Sequence, residues 1–436
     1  MKIKLFYFFL LFSIISCQNK SNVNQNVITA DIDHFWEAYD KITNTKDTLL
    51  QAKYLTDLFL NKGTPGLNAI RQVRDYTPKS YLDAINKHPL FWESIRKNTF
   101  KSKNMSVELQ KGIDKFRAIY PAMKPASIYF TIGAFRTNGT TKDSLVLIGS
   151  ELAMADQNTV TSEFPTEIGT QWRKFFDSNP IDKLVLLNVH EYVHTQQKPM
   201  VHNLLSQVLY EGIAEFVSVT AMQEPSASPA IEFGKKNKAR VAKAFENDMY
   251  KPGKRDFWLW SNATNEFGLR DLGYYIGYEI AEHFYKNASG KKAAIKHLVD
   301  LDYENETEVE ALVDGTHFFS NTLENLYNTF EENRPKVINI KEFKNGDQKV
   351  NPNITKITIE FSRSLTPPFK STGLGELGRD HFPKVDSINF SEDAKSVIYH
   401  IKLESNKRYQ ILLENGYRAE TDNPLKPYLI DFKTGT

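Results

Sequence analysis

The sequence predicts an α+β chain: a mainly helical domain with a small β-sheet, then an all-β sandwich. Three observations carry this. Apolar residues recur at helical spacing from Asp33 to about Ala122 and again from about Pro180 through the motif region. Two short β-branched runs interrupt them between Ala126 and Ala153, and beyond Pro335 the apolar residues alternate with period two. At 436 residues, with 41% hydrophobic and 25% charged residues, the chain is long enough for domains with real cores.

The first segment stands apart. Lys2 and Lys4 precede "LFYFFLLFSII", which ends in "SC" at Cys17. Such a stretch is too short to span a bilayer, which takes ~20 apolar residues, and suits a secretion signal. Cys17 is the only cysteine, so the chain can form no internal disulfide and its stability must come from its core. Residues 18 to about 30, "QNKSNVNQNVITA", are polar and without periodicity, which predicts a flexible tether.

From Asp33 the helices follow. "TLLQAKYLTDLFLNKG" places Leu49, Tyr54, Leu55 and Leu58 in a stripe closed by Gly63, and "SVELQKGIDKFRAIYP" runs from Ser106 to Pro121. Then "SIYFTIGAF" and "SLVLIGSELA" flank "RTNGTTKD", whose Asn138-Gly139 pair predicts a β-hairpin. Helical spacing returns in "SQVLYEGIAEFVSVTAM", "KKNKARVAKAFENDMY" and "LGYYIGYEIAEHFYKN". In the last hundred residues, Ile357, Ile359 and Phe361, then Val397, Tyr399, Ile401 and Leu403, mark strands of a sandwich over 336–436.

The chemistry concentrates in "LVLLNVHEYVHTQQ". On a helix, residues four apart share a face, so His190 and His194 can present their imidazoles to one ion. Glu191 projects beside that pair, where a carboxylate can take a proton from a water acidified by zinc. A zinc site open to water needs a third protein ligand. "LYEGIAEFVS" offers Glu211 after sixteen intervening residues and Glu215 one turn later. Either carboxylate is costly to bury on so apolar a helix without a partner. Glu211 is the expected ligand and Glu215 the group that orients a ligand histidine, with the reverse assignment open.

These residues carry a resemblance. "HEYVH" with "YEGIAEF" resembles the gluzincin metallopeptidases, which implies a zincin-like fold over residues 31 to 335. It also implies zinc on His190, His194 and Glu211, Glu191 as general base, and a peptide or protein substrate added along a sheet edge. "SIISC" resembles the lipobox of bacterial lipoproteins, which implies removal of residues 1 to 16, a lipid anchor on Cys17 and a place in the cell envelope. "HEYVHTQQ" before "LLSQVLYEGIAEF", behind a lipobox, is similar to an envelope group that includes gliding-motility lipoproteins of the Bacteroidetes. These resemblances imply a lipid-anchored zinc metallopeptidase of the cell envelope, with a catalytically weak or inactive lipoprotein component of a motility or secretion machinery as the alternative. The strands beyond Pro335 resemble Ig-like modules of secreted bacterial proteins.

Hydrolysis through a tetrahedral intermediate also needs an oxyanion donor. Tyr274, Tyr275 and Tyr278 lie on a helix whose Gly273 and Gly277 permit close packing, and Tyr275 is the leading candidate. His202 and His283 are expected to be structural. The basic run Lys235 to Lys243 is expected to be a solvated helix face, because the net charge is only +2, which also argues against nucleic acid.

Overall fold

A computed structural model of the chain describes residues 26–261 and 265–436, and the expected signal segment and Cys17 lie outside them. The chain divides into two compact units, Met1–Thr195 and Gln196–Thr436. The boundary expected at residue 335 lies inside the second.

In the first unit, six α-helices between Ala30 and Ile119 form the helical layer. Their core is aromatic: Phe35 and Trp92 lie 4.8 Å apart, Phe35 and Phe59 5.4 Å, and all three are fully buried. The stripe expected from Leu49 differs. The helix Thr48–Leu55 runs into a π turn at Thr56–Leu60, whose extra residue per turn rotates the face. Leu55, Phe59 and Leu60 therefore point inward and Leu49 is 81% exposed.

The sheet of this unit has four strands, β1 (Val27–Ile28), β2 (Ser127–Thr131), β3 (Gly139–Lys142) and β4 (Leu145–Gly149), in the order β1-β2-β4-β3. Strand β1 starts inside the segment expected to be tether and pairs parallel with β2. The expected hairpin is corrected. "SIYFT" and "LVLIG" pair parallel to each other, and the antiparallel partner of β4 is β3. Asn138-Gly139 is no hairpin turn, since Gly139 opens β3; the chain reverses at Asp143, whose φ of 52° suits a short polar residue. The segment 132–138 therefore carries the chain across β4 to the far edge of the sheet.

The second unit opens with helices Leu204–Met222, Pro229–Lys236 and Lys238–Asp248, followed after residue 265 by Gly273–Asn287 and three more up to Asn333. Among the described residues no helix is long and apolar enough to cross a membrane. Seven strands follow: β5 (Val337–Ile340), β6 (Lys356–Phe361), β7 (Thr372–Gly373), β8 (Lys384–Phe390), β9 (Ser396–Lys402), β10 (Arg408–Leu413) and β11 (Tyr428–Lys433). They make two antiparallel sheets, β5-β6-β9-β8 and β11-β10-β7. Ile357, Ile359, Val397, Tyr399, Ile411 and Phe432 belong to one shared core, as period-two alternation requires.

Candidate metal centre

The histidines stand on the motif helix, Leu184–His194, which follows a short 3-10 turn at Pro180–Lys183. Val185, Val189 and Val193 are poor helix formers, so packing must hold this helix. Leu184, Val189 and Val193 are almost completely buried. Inside the motif, Tyr192 pins the helix to the sheet: its Oη accepts a hydrogen bond from the Ala126 amide, 2.7 Å away, one residue before β2. Rotation of the helix is thereby fixed, and with it the direction of His190 and His194.

Their Nε2 atoms lie 3.1 Å apart, with the rings nearly perpendicular. Two imidazole nitrogens bound to one tetrahedral ion at ~2.0–2.1 Å would stand ~3.4 Å apart, so the pair is already close to the spacing a metal needs. Glu191 lies against the edge strand. A β-carbon added to Gly139 would fall 2.6 Å from its Oε1 and 3.0 Å from its Cδ, so only glycine lets β3 pass this close.

Glu211 and Glu215 stand on the glutamate helix, Leu204–Met222, capped by Asn203, whose Oδ1 accepts the Ser206 amide at 2.7 Å. Gln197, just past the motif, donates to the Tyr210 carbonyl at 3.0 Å and to Tyr303 Oη at 3.1 Å. The tyrosine helix, Gly273–Asn287, crosses the glutamate helix backbone to backbone. A β-carbon on Gly212 would lie 2.3 Å from the Tyr278 amide nitrogen, and one on Gly277 would lie 2.0 Å from the Val208 carbonyl oxygen. This crossing brings Tyr274 to Glu211, to which its hydroxyl donates a hydrogen bond. Burial, then the Glu211 and Asp271 carboxylates, push the Tyr274 hydroxyl far above its usual range, so it stays a donor. Trp260 in turn donates its indole N–H to Tyr274 Oη at 3.4 Å.

One ligand atom each from His190, His194 and Glu211 lie within 4.8 Å of one another, and all three side chains are buried. Two imidazoles and a carboxylate are a donor set that would suit zinc and would leave a fourth position for water. Glu215, also buried, accepts from Ser226 Oγ at 2.5 Å.

The tyrosine expectation needs correction. Tyr275 Oη is buried with no hydrogen-bond partner among the described residues, and its ring packs beside Gly234 and Phe318. Tyr275 is a core residue, and its neighbour Tyr274 faces the carboxylate. Helical periodicity could not separate the two, because only the close crossing at Gly212 and Gly277 decides which residue meets Glu211. Tyr278 packs on Phe216 under Lys235. His202 is exposed and His283 contacts Asn287. The basic run is a paired surface: Lys235, Lys236, Lys238, Arg240 and Lys243 each meet a glutamate.

Fold and site thus describe a mixed α/β protein, rich in helix, with a buried two-histidine, one-carboxylate group. The family model described as gliding motility protein GldB, a lipoprotein family, matches residues 16–266, more than half of the chain, and the chain belongs to that family. No curated protein matches the chain. Among solved structures, the S-layer protein rSbsC and domains 1–6 of the surface layer protein SbsC are similar at 10% and 11% identity, with TM-scores of 0.18 and 0.19. The matches cover 93% of this chain and 45% of each of those, so the chain spans under half their length, and scores this low define no common fold.

Proposed function

We propose that the chain is a lipid-anchored component of a gliding-motility machinery in the bacterial cell envelope, and that it binds zinc through His190, His194 and Glu211. Membership of the gliding-motility lipoprotein family supports the setting and implies membrane association and protein partners. Cys17, with the lipobox before it, supplies the anchor. The observation that carries the metal is the convergence of three buried ligand atoms within 4.8 Å. Burying these groups together is unfavourable unless a cation or hydrogen bonds compensate, and zinc does so for both the imidazole lone pairs and the carboxylate. On this reading the C-terminal sheets, Ig-like in their alternation, serve binding and not chemistry.

A second reading, peptide hydrolysis in the manner of gluzincins, is favoured by Glu191. A purely structural zinc site is closed by a fourth protein ligand and needs no general base. Zinc would supply Lewis acidity to a water in the open position. Glu191 would take the proton, held in place by Gly139, and Tyr274 would hold Glu211 in its ligating orientation. The outer edge of β3 offers backbone groups to which an extended peptide can pair. Cleavage of a mixed peptide library by wild type and Glu191→Gln separates the two. The hydrolytic reading expects the variant to keep its zinc and lose ~10²–10⁴-fold in rate. Equal zinc with no cleavage by either leaves the motility component without hydrolysis.

A further inference from the structure

A second buried carboxylate stands apart from the metal group. Glu151 is fully buried on the short helix Ser150–Ala153 that leaves β4. Its Oε2 accepts the Gly133 amide at 2.9 Å and its Oε1 the Phe135 amide at 3.2 Å. Both amides belong to the segment 132–138 that crosses from β2 to β3. The segment is held elsewhere too: Tyr76 Oη accepts the Arg136 amide at 3.1 Å, the Asn138 carbonyl accepts the Gly149 amide at 3.0 Å, and Thr137 Oγ1 donates to the Gly139 carbonyl. Phe135 holds a φ of 69°, a costly conformation for an aromatic residue. A methyl group on Gly133 would lie 2.7 Å from both Glu151 Oε1 and Tyr76 Oη, so the segment is clamped on both sides.

Where this clamped segment ends gives it meaning, since its next residue is Gly139, which lies on Glu191. We propose that Glu151 is a positioning residue: it latches the segment 132–138 and thereby sets the edge strand β3 against Glu191. The role at Glu191 rests on the hydrolytic reading above, whereas the latch acts without metal or substrate. Burial raises the Glu151 carboxyl to about 7, opposed by the Gly133 and Phe135 amides. The titratable groups facing it are Tyr76 and Tyr81, with Arg74, Arg71 and Asp31 behind these. On the elements packed against its helix, Glu93, Lys97 and Asp182 are exposed, Lys183 is half-buried and Arg96 is paired with Asp40. The neutral carboxyl is stable in the dry, closed state; the charged one gains water only when the segment lifts, so rising pH through about 7 loosens the latch.

Hydrogen exchange of peptides spanning residues 133–139 in the mature, metal-free chain tests this. After correction for intrinsic exchange, wild type opens about tenfold more at pH 8 than at pH 6, given a solvated carboxyl near 4.5. Glu151→Gln, neutral at every pH, shows no difference in opening between pH 6 and pH 8, and Glu151→Ala is open at both. A wild-type segment equally protected at both pH values, or a Glu151→Gln variant that still responds to pH, overturns the latch. Should Glu151→Ala not fold, wild type against Glu151→Gln decides. A working latch in a protein whose Glu191→Gln variant loses no activity would leave the segment latched and remove its tie to chemistry.

Discussion

Two regions bury polar side chains on apolar elements, to different ends. In the C-terminal sheets, Tyr399 and Tyr417 meet hydroxyl to hydroxyl at 2.7 Å and Thr372 bonds Tyr399 at 2.5 Å. Neutral groups there satisfy one another within the core they share, and the arrangement has no need of a ligand. In the motif and glutamate helices, the buried groups are two imidazoles and three carboxylates, His190, His194, Glu191, Glu211 and Glu215. Ionisable groups gathered on helices this apolar are expensive to keep dry, and the approach of ligand atoms from His190, His194 and Glu211 to within 4.8 Å separates a site from a polar core.

The largest effect that sharpens this contrast is at the ligands. His190→Ala and Glu211→Ala are each expected to lower zinc affinity more than about 100-fold in a competition titration with a chromogenic chelator. Glu215→Ala should lose at most ~10–100-fold, as groups that orient ligands do. A larger loss for Glu215 would exchange the roles of the two glutamates. Next, Ile359→Ala in the C-terminal core should cost roughly 2–5 kcal/mol in chemical denaturation and leave zinc affinity unchanged. Coupled loss of zinc would erase the distinction between the regions.

The smallest expected effect compares adjacent tyrosines. Tyr274→Phe removes a hydrogen bond to a charged carboxylate, ~1.5–3 kcal/mol, and should weaken zinc binding about tenfold or somewhat more. Tyr275→Phe removes a hydroxyl that has no partner among the described residues and should leave affinity unchanged and stability equal or higher. The opposite ranking in the same titration would restore Tyr275 to the site.

Much of this was legible in the sequence, for local reasons. The four-residue spacing of His190 and His194 needs only a helix, and the alternation of Ile357, Ile359 and Phe361 needs only a strand with one buried face. What failed depends on neighbours distant in the chain. The pairing of β2 with β4 is parallel because the segment 132–138 crosses the sheet, whereas Asn138-Gly139 in isolation reads as a turn. The choice of Tyr274 over Tyr275 is made by the approach of Gly212 to Gly277. Glu151 carried no motif, and only its burial under the Gly133 and Phe135 amides singles it out. A glutamate among short apolar runs, directly after a strand, was the available signal.

The central claim is that His190, His194 and Glu211 hold a metal, and zinc per chain tests it most directly. The soluble form beginning after Cys17, purified without chelators and measured by elemental analysis beside the His190→Ala/His194→Ala double variant, should hold one zinc per chain, and the variant none. Wild type without stoichiometric zinc, and with no uptake on adding it, would contradict the account.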